Sequence, residues 1–154
     1  MATGAAVDDD AFMRDSVIVS QAASPRRCVW HRPVDEHGDG YVYFLEVDLE
    51  DEGLVAHGWS ALNGRDALDL PAFLAVLVER WRGWEGTLTW TSMEGEMTLD
   101  ATHEGRQVRL AVTLRRPHRT YEPDAWSARV VFTLEPGEQL RNLAAEAAHV
   151  LTRQ

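Results

Sequence analysis

Four side chains of the types that bind metals lie within ten residues: Cys28, His31, Asp35 and His37. Thiolate, imidazole and carboxylate groups are the usual protein ligands of zinc. Their spacing matches no compact zinc motif. Because Cys28 is the only cysteine, an internal disulfide and the paired cysteines of structural zinc sites are excluded. We therefore predict that the protein binds no metal.

Two segments contain nucleophiles, but neither has the partners that catalysis needs. Residues 58–62 read Gly-Trp-Ser-Ala-Leu, which begins like a nucleophile elbow but has Leu62 where the strained turn of that motif requires glycine. Cys28 lies near His31 in the sequence, but a thiolate pair also needs a third group to orient the histidine. We predict no catalytic residues, and the sequence favours a protein that is not an enzyme.

The charged residues exclude several classes of function. All 15 basic residues are arginine, so the lysines of phosphate-binding loops, pyridoxal enzymes and protein kinases are missing. We predict no cofactor. A net charge of −10 disfavours contact with nucleic acid or with an anionic membrane, and we expect neither as a partner.

The most acidic part of the chain lies in a predicted hairpin over residues 41–62. Its acidic residues are Glu46, Asp48, Glu50, Asp51 and Glu52. Charge concentrated on a protruding element steers a partner of opposite charge toward it. We predict that these residues bind a basic protein partner.

A single basic cluster lies in the loop that follows the third strand of the second half. Its candidate residues are Arg115, Arg116, His118, Arg119 and Tyr121. Guanidinium groups bind carboxylates and phosphates through two parallel hydrogen bonds. The loop is therefore a candidate site for an anion or another ligand, and the alternative is a solvated hairpin loop.

Alternation of apolar and polar residues predicts the strands that position these side chains. Strands are predicted over residues 16–20, 27–32, 41–49 and 54–62, and four more follow between Thr87 and Leu134. Tight turns at Gly95 and Gly105 join three of the later strands. The acidic residues beside these turns, Glu96 among them, are predicted to face solvent.

Apolar residues spaced three and four apart predict two amphipathic helices, over residues 70–81 and 140–151. The first is expected to have Asp69 as its N-terminal cap and Pro71 in its first turn. Four tryptophans fall on apolar faces and are predicted to be core residues: Trp81, Trp84, Trp90 and Trp126. The patterns leave Trp30 and Trp59 unconstrained.

These elements predict a single α+β domain over residues 16–154, with a twisted antiparallel sheet of about 7–8 strands and two helices packed on one face. Residues 1–15 are small or acidic and predict a flexible tail. Each half has several strands followed by a helix, but we see no residue-level repeat. Because no apolar run suits a signal peptide or a membrane span, we expect a cytoplasmic protein.

Several segments resemble a known family. Residues 81–86 read W-R-G-W-E-G, residues 93–103 read M-E-G-E-M-T-L-D-A-T-H, and residues 134–140 read L-E-P-G-E-Q-L. These motifs resemble the bacterial, commonly actinobacterial, family catalogued as domain of unknown function 6228, over residues 41–151. The resemblance implies an α+β domain and a GC-rich bacterial source, but no activity or catalytic residues.

We expect a non-enzymatic protein-interaction module. A small acidic protein with a protruding acidic hairpin and no catalytic residues has the profile of an immunity-type protein, which blocks the basic cleft of a toxin or nuclease; this comparison is an analogy. The alternative is a small-ligand-binding or enzymatic pocket protein, in which the uncovered sheet face and residues 115–119 surround a ligand. The sequence leaves the oligomeric state open.

Overall fold

The computed structural model describes residues 15–63, 66–118 and 120–152. The predicted tail, residues 1–15, lies outside these ranges except for Asp15. The Oδ1 atom of Asp15 lies 2.6 Å from Nη2 of Arg32, so this residue is held against the loop after the second strand.

The first half of the chain forms an antiparallel meander of four strands followed by a helix. The strands are β1 (Ser16–Ser20), β2 (Arg27–His31), β3 (Val42–Asp51) and β4 (Leu54–Asn63), and the helix is α1 (Asp66–Glu79). Asp51 pairs with Leu54 across the tight turn between β3 and β4. Gly53 in this turn has φ +76°, a conformation that glycine adopts without a steric penalty.

The second half repeats this order of elements. Its strands are β5 (Thr87–Thr91), β6 (Met97–Glu104), β7 (Gln107–Arg115) and β8 (Ser127–Leu134), and its helix is α2 (Glu138–Thr152). Each half of the described chain therefore consists of four strands followed by a helix, although the two halves share no repeated sequence.

The α+β class is confirmed, but the single sheet of about 7–8 strands is corrected to two sheets. Within the described residues, β1 to β4 form one four-stranded sheet and β5 to β8 form the other, each in sequence order. Alternation identifies strands but not their partners. Here α1 carries the chain away from β4, so β5 begins a new sheet instead of extending the first.

Both sheets and both helices bury their apolar faces in one core. Alternate residues of β3 and β7 point inward, and α1 and α2 contact each other along their apolar faces. β3 lies against β8, and β4 lies against β7. The two strands are close at Gly58 in β4, where a Cβ atom would be in van der Waals contact with the Leu114 side chain of β7 at 3.4 Å. Neither sheet therefore has a closed core of its own.

The first helix begins earlier than predicted. It starts at Asp66, so Asp69 lies inside the helix rather than at its cap, and Pro71 lies in the second turn. The predicted start was late because the apolar spacing begins only at Leu70, whereas the helical backbone begins before it. No helix in the described part of the chain combines the length and the apolar character that crossing a membrane requires.

The four tryptophans that were predicted to be core residues fall into two groups. Trp90 is buried at 8% exposure, and half-buried Trp84 donates a hydrogen bond from Nε1 to the Ala101 carbonyl (3.2 Å). The prediction is wrong for Trp81, which is 50% exposed, and for Trp126, which is also exposed. Trp81 follows the end of α1, and Trp126 precedes β8, so neither lies where the periodic pattern still determines which side faces the core.

Side chains from other elements cover one edge strand of each sheet. At the edge strand β8, Thr133 N donates to Oε1 of Gln21 (2.9 Å), and Nη1 of Arg26 donates to the Val131 carbonyl (2.7 Å). Along β1, the Ile18 backbone donates to the Glu146 carboxylate of α2. Partial burial raises the pKa of Glu146, and this hydrogen bond only partly offsets the rise. These contacts cover strand edges that would otherwise offer free hydrogen-bonding groups.

Candidate functional site

A cavity of about 320 Å³ opens where the outer face of β3 and β4 meets the turn before β6 and the loop after β7. Aromatic rings form much of its wall, namely those of Phe44, Trp59, His118 and Tyr121. Two carboxylates, from Glu94 and Glu96, also line it. Both halves of the chain therefore contribute to this cavity.

The rings of the wall pack edge to face. The centroid of Trp59 lies 5.1 Å from that of Phe44 at an interplanar angle of 79°, and 4.4 Å from that of His118 at 73°. Phe44 and Trp59 face outward because side chains alternate along a strand, and their neighbours Leu45 and Ser60 face the core. This alternation places two large aromatic side chains on the face of the sheet that does not pack into the core.

Glu96 forms the buried side of the cavity at 2% exposure. Its Oε2 atom accepts a hydrogen bond from Ala61 N (3.3 Å), and its Oε1 atom accepts from the hydroxyls of Ser60 (3.4 Å) and Ser92 (3.1 Å). Met97 N donates to the Ser92 hydroxyl oxygen (3.1 Å), which leaves the hydroxyl proton for Glu96. The prediction that Glu96 faces solvent is therefore wrong, because its carboxylate joins β4 to the second sheet.

The loop after β7 is fastened to the turn before β6. Arg115 N donates to the Glu96 carbonyl (2.7 Å), and the Thr120 hydroxyl donates to the Glu94 carbonyl (3.2 Å). His118 has φ +64°, a left-handed conformation that is uncommon outside glycine. These contacts hold His118 and Tyr121 beside the strands of the first sheet.

The predicted anion or ligand loop contributes to the cavity only in part. His118 and Tyr121 line it, whereas the guanidinium of Arg115 donates to Thr98 Oγ1 (3.0 Å) and to the Gly95 carbonyl (3.3 Å). Arg116 is exposed and does not line the cavity. Arg119 lies outside the described residues. Among the described residues of this loop, the arginines are therefore not gathered into an anion site.

The five acidic residues of the first hairpin lie in different surroundings. Glu46, Asp48 and Glu50 point outward along β3, whereas Glu52 lies in the turn. Asp51 lies near Arg26, with Oδ2 3.3 Å from Nε. Glu46 lies directly opposite Trp59 in the pairing of β3 with β4, so one of these carboxylates stands beside the cavity wall.

Asp48 lies between two histidines on the outer face of the first sheet. Its Oδ2 atom is 2.8 Å from Nε2 of His31, and its Oδ1 atom is 2.5 Å from Nδ1 of His57. Partial burial by itself would raise the pKa of Asp48. Hydrogen bonds from His31 and His57, together with their positive charge, outweigh it and lower the pKa of Asp48 below its usual value.

We expect Asp48 to contribute stability that disappears in acid. A carboxylate with a lowered pKa stabilises the fold above its unfolded-state pKa, and this contribution is lost as the pH falls through its folded-state pKa. The difference in free energy of unfolding between the wild type and Asp48→Asn should therefore shrink from about pH 5 to about pH 2. Urea titrations across this range measure it, with Glu46→Gln as the control. A difference that grows on acidification would contradict the assignment.

The four potential metal ligands of the sequence do not converge. Cys28 is buried in the core, and this burial, together with the nearby Asp48 carboxylate, raises the pKa of its thiol. His31 lies on the opposite face of the sheet, where it contacts Asp48. The Asp35 carboxylate accepts hydrogen bonds from Gly38 N and Gly40 N, both at 2.9 Å. Across the described ranges, no three His, Cys, Asp or Glu side chains are grouped to hold a metal ion.

Comparison with known proteins identifies the family. The family model "Family of unknown function (DUF6228)" matches residues 21–154. The chain belongs to this family. The match covers every strand except β1 and every residue that lines the cavity, so the cavity lies within the DUF6228 domain. No curated protein and no solved structure matches the chain.

Several residues of the cavity in this DUF6228 domain were missed from the sequence. Phe44, Met93, Glu94 and Thr120 were not candidates, and Trp59 was left unconstrained. The signal for Phe44 was present, since an aromatic residue at an outward position of an alternating strand has no role in the core. Local sequence does not identify the role of Glu96, because only Ser92 is a nearby partner, and its partners in β4, Ser60 and Ala61, lie more than 30 residues away in the chain.

Proposed function

We propose that this protein is a non-enzymatic interaction module that binds a basic protein partner through the outer face of β3 and β4. One observation carries the proposal: the aromatic cavity and the outward carboxylates of β3 occupy the same sheet face. Carboxylates favour a cationic partner, and aromatic side chains are the most common anchors of protein interfaces.

The charges of this face support a basic partner. Glu46 and Glu50 point outward along β3, and neither forms an ion pair within the described part of the chain. The whole chain carries a net charge of −10. Both the local and the overall field therefore attract a cationic surface and accelerate its association.

Exposed apolar side chains border the same face. Val55 on β4 is 81% exposed, and Tyr121 at the mouth of the cavity is 82% exposed. Large apolar groups with this exposure lose contact with water when a partner covers them, which contributes favourably to binding. The combination of these apolar side chains with the carboxylates fits an immunity-type protein that blocks a basic cleft.

We also propose that the protein is located in the cytoplasm of a bacterium and that its source is actinobacterial.

Affinity capture with matched charge variants tests the proposal. Glu46→Arg combined with Glu50→Arg reverses charge on the proposed face, and Glu79→Arg combined with Glu85→Arg makes the same change at exposed positions outside β3 and β4. From a lysate of the source organism, the wild type and the control should retain the same basic protein, and the face variant should lose it. With that protein purified, the face variant should associate about tenfold more slowly at low salt. Equal retention by all three proteins would refute the proposal.

A small-ligand-binding protein is the second candidate, and the volume of the cavity favours it. About 320 Å³ falls at the lower end of the range of small-molecule sites, which is about 300–1,000 Å³. His118 and Tyr121 come from the loop that was expected to surround a ligand. In this case, the charge of β3 would have no effect on binding, and the ligand would bind the isolated protein.

A further inference from the structure

We propose that the cavity between β4 and the loop after β7 receives one guanidinium group, that of an arginine side chain of the basic partner. This inference rests on the proposed function and assigns a chemical role to one part of its surface. The cavity can hold a single side chain, but its volume of about 320 Å³ is too small for a folded segment.

The aromatic wall suits a flat organic cation. Trp59 and Phe44 are fixed by their edge-to-face contact, and the exposed ring of Tyr121 lies at the mouth of the cavity. Cations are attracted to the faces of aromatic rings, with tryptophan the strongest. Guanidinium is planar and weakly hydrated, so it stacks on such rings at a lower desolvation cost than an ammonium group does.

The carboxylates provide the matching charge. A carboxylate has about four acceptor positions, and the protein donors to Glu96 from Ser60, Ser92 and Ala61 occupy three of them. Donors from the described residues therefore leave one position for a donor in the cavity. Glu94 lines the same cavity and is exposed, so its carboxylate is free to meet a guanidinium at the entrance.

None of the described arginines occupies this position. No arginine lines the cavity among the described residues. The guanidinium of Arg115 is already bonded to Thr98 and Gly95, and that of Arg26 to Val131 and Asp51. The combination of two carboxylates with aromatic rings disfavours anions and selects a cation.

Titration with defined probes tests the assignment. The probes are N-acetyl-arginine amide, its neutral isostere N-acetyl-citrulline amide, and agmatine as a free small cation. Binding is followed through the NMR signal of the Trp59 indole N–H. We expect the arginine amide to shift this signal saturably and at least as tightly as agmatine does, and we expect no saturable shift from citrulline. Equal binding of citrulline, or binding of agmatine without the arginine amide, would overturn the inference.

Two variants at exposed positions test the wall and the charge without removing core contacts. Tyr121→Ala should weaken binding of the arginine amide about two- to fivefold, the scale of an exposed cation–π contact. Glu94→Gln should weaken it by a similar factor, as expected for an exposed ion pair. The control is Tyr41→Ala, an exposed tyrosine outside the cavity, and it should leave binding unchanged. Unchanged binding in both cavity variants would overturn the inference.

The captured partner separates failure of this inference from failure of the proposed function. In one outcome, charge reversal at Glu46 and Glu50 abolishes capture, but the double variant Tyr121→Ala, Glu94→Gln binds the partner like the wild type. The proposed interaction face is then supported, and the arginine pocket is wrong. In a second outcome, the arginine amide binds the cavity, but the charge-reversal variant captures the same proteins as the wild type. The proposed function is then wrong. If the charge-reversal variant and the cavity variant both lose the partner, both proposals are supported.

Discussion

Trp90→Ala is expected to lower the free energy of unfolding by about 3–5 kcal/mol. Trp90 is buried and packs into the core that both sheets share, so its removal exposes core surface and leaves a cavity that the neighbouring side chains can only partly fill. Urea denaturation followed by far-UV circular dichroism measures the loss, because this signal does not depend on the tryptophan that is removed.

Trp81→Ala is the matched control for this experiment. The same atoms are deleted, but the Trp81 side chain is half-exposed. The centroid of its ring lies 5.2 Å from Cζ of Arg82, a surface side chain. Its backbone carbonyl also contacts Nε2 of His103, and alanine retains that carbonyl. We expect a loss below about 1 kcal/mol. Equal losses at the two positions would show that Trp81 packs into the core.

Glu96→Ala is expected to lower the free energy of unfolding by about 2–4 kcal/mol, because each buried donor left without an acceptor costs about 1–3 kcal/mol. The substitution strands Ala61 N and removes the acceptor of the Ser60 and Ser92 hydroxyls. Chemical denaturation at neutral pH measures the change.

Two further variants identify the cause of that loss. Glu96→Gln keeps the shape but places an amide donor among three donors, so it should still destabilise the protein, by less than Glu96→Ala. Ser92→Ala removes one of the three hydrogen bonds to Glu96 and also the acceptor of Met97 N, so it should cost about 2 kcal/mol. If Glu96→Ala were neutral, the carboxylate would have to be hydrated rather than bonded to β4.

The strands were largely predictable because one face of each sheet is buried. Alternation located β1 at Ser16–Ser20 without error, and it indicated four strands between Thr87 and Leu134. Pairing was not predictable in the same way, because the pattern does not record which strands are neighbours. The division into two sheets depends on where α1 takes the chain, and α1 itself was placed only from Leu70 onward.

The candidate site was only partly predictable. His118 and Tyr121 were identified because a cluster of arginines drew attention to their loop, although no described arginine of that loop lines the cavity. Asp48 was identified for its charge, but its contacts with His31 and His57 depend on the register of three strands. Contacts across strands follow from register, and one sequence alone does not determine it.

The common core also affects the synthesis of the protein. The first sheet can form its local hairpins as soon as residue 63 has left the ribosome, but its apolar inner face is covered only when the second sheet and α2 arrive. Translation at about 5–20 residues per second leaves that face open for roughly 5–18 s while the second half is made. During this interval, the nascent chain exposes the surface that chaperones bind and that aggregation requires. We therefore expect the first half to be prone to aggregation until the second half completes the core.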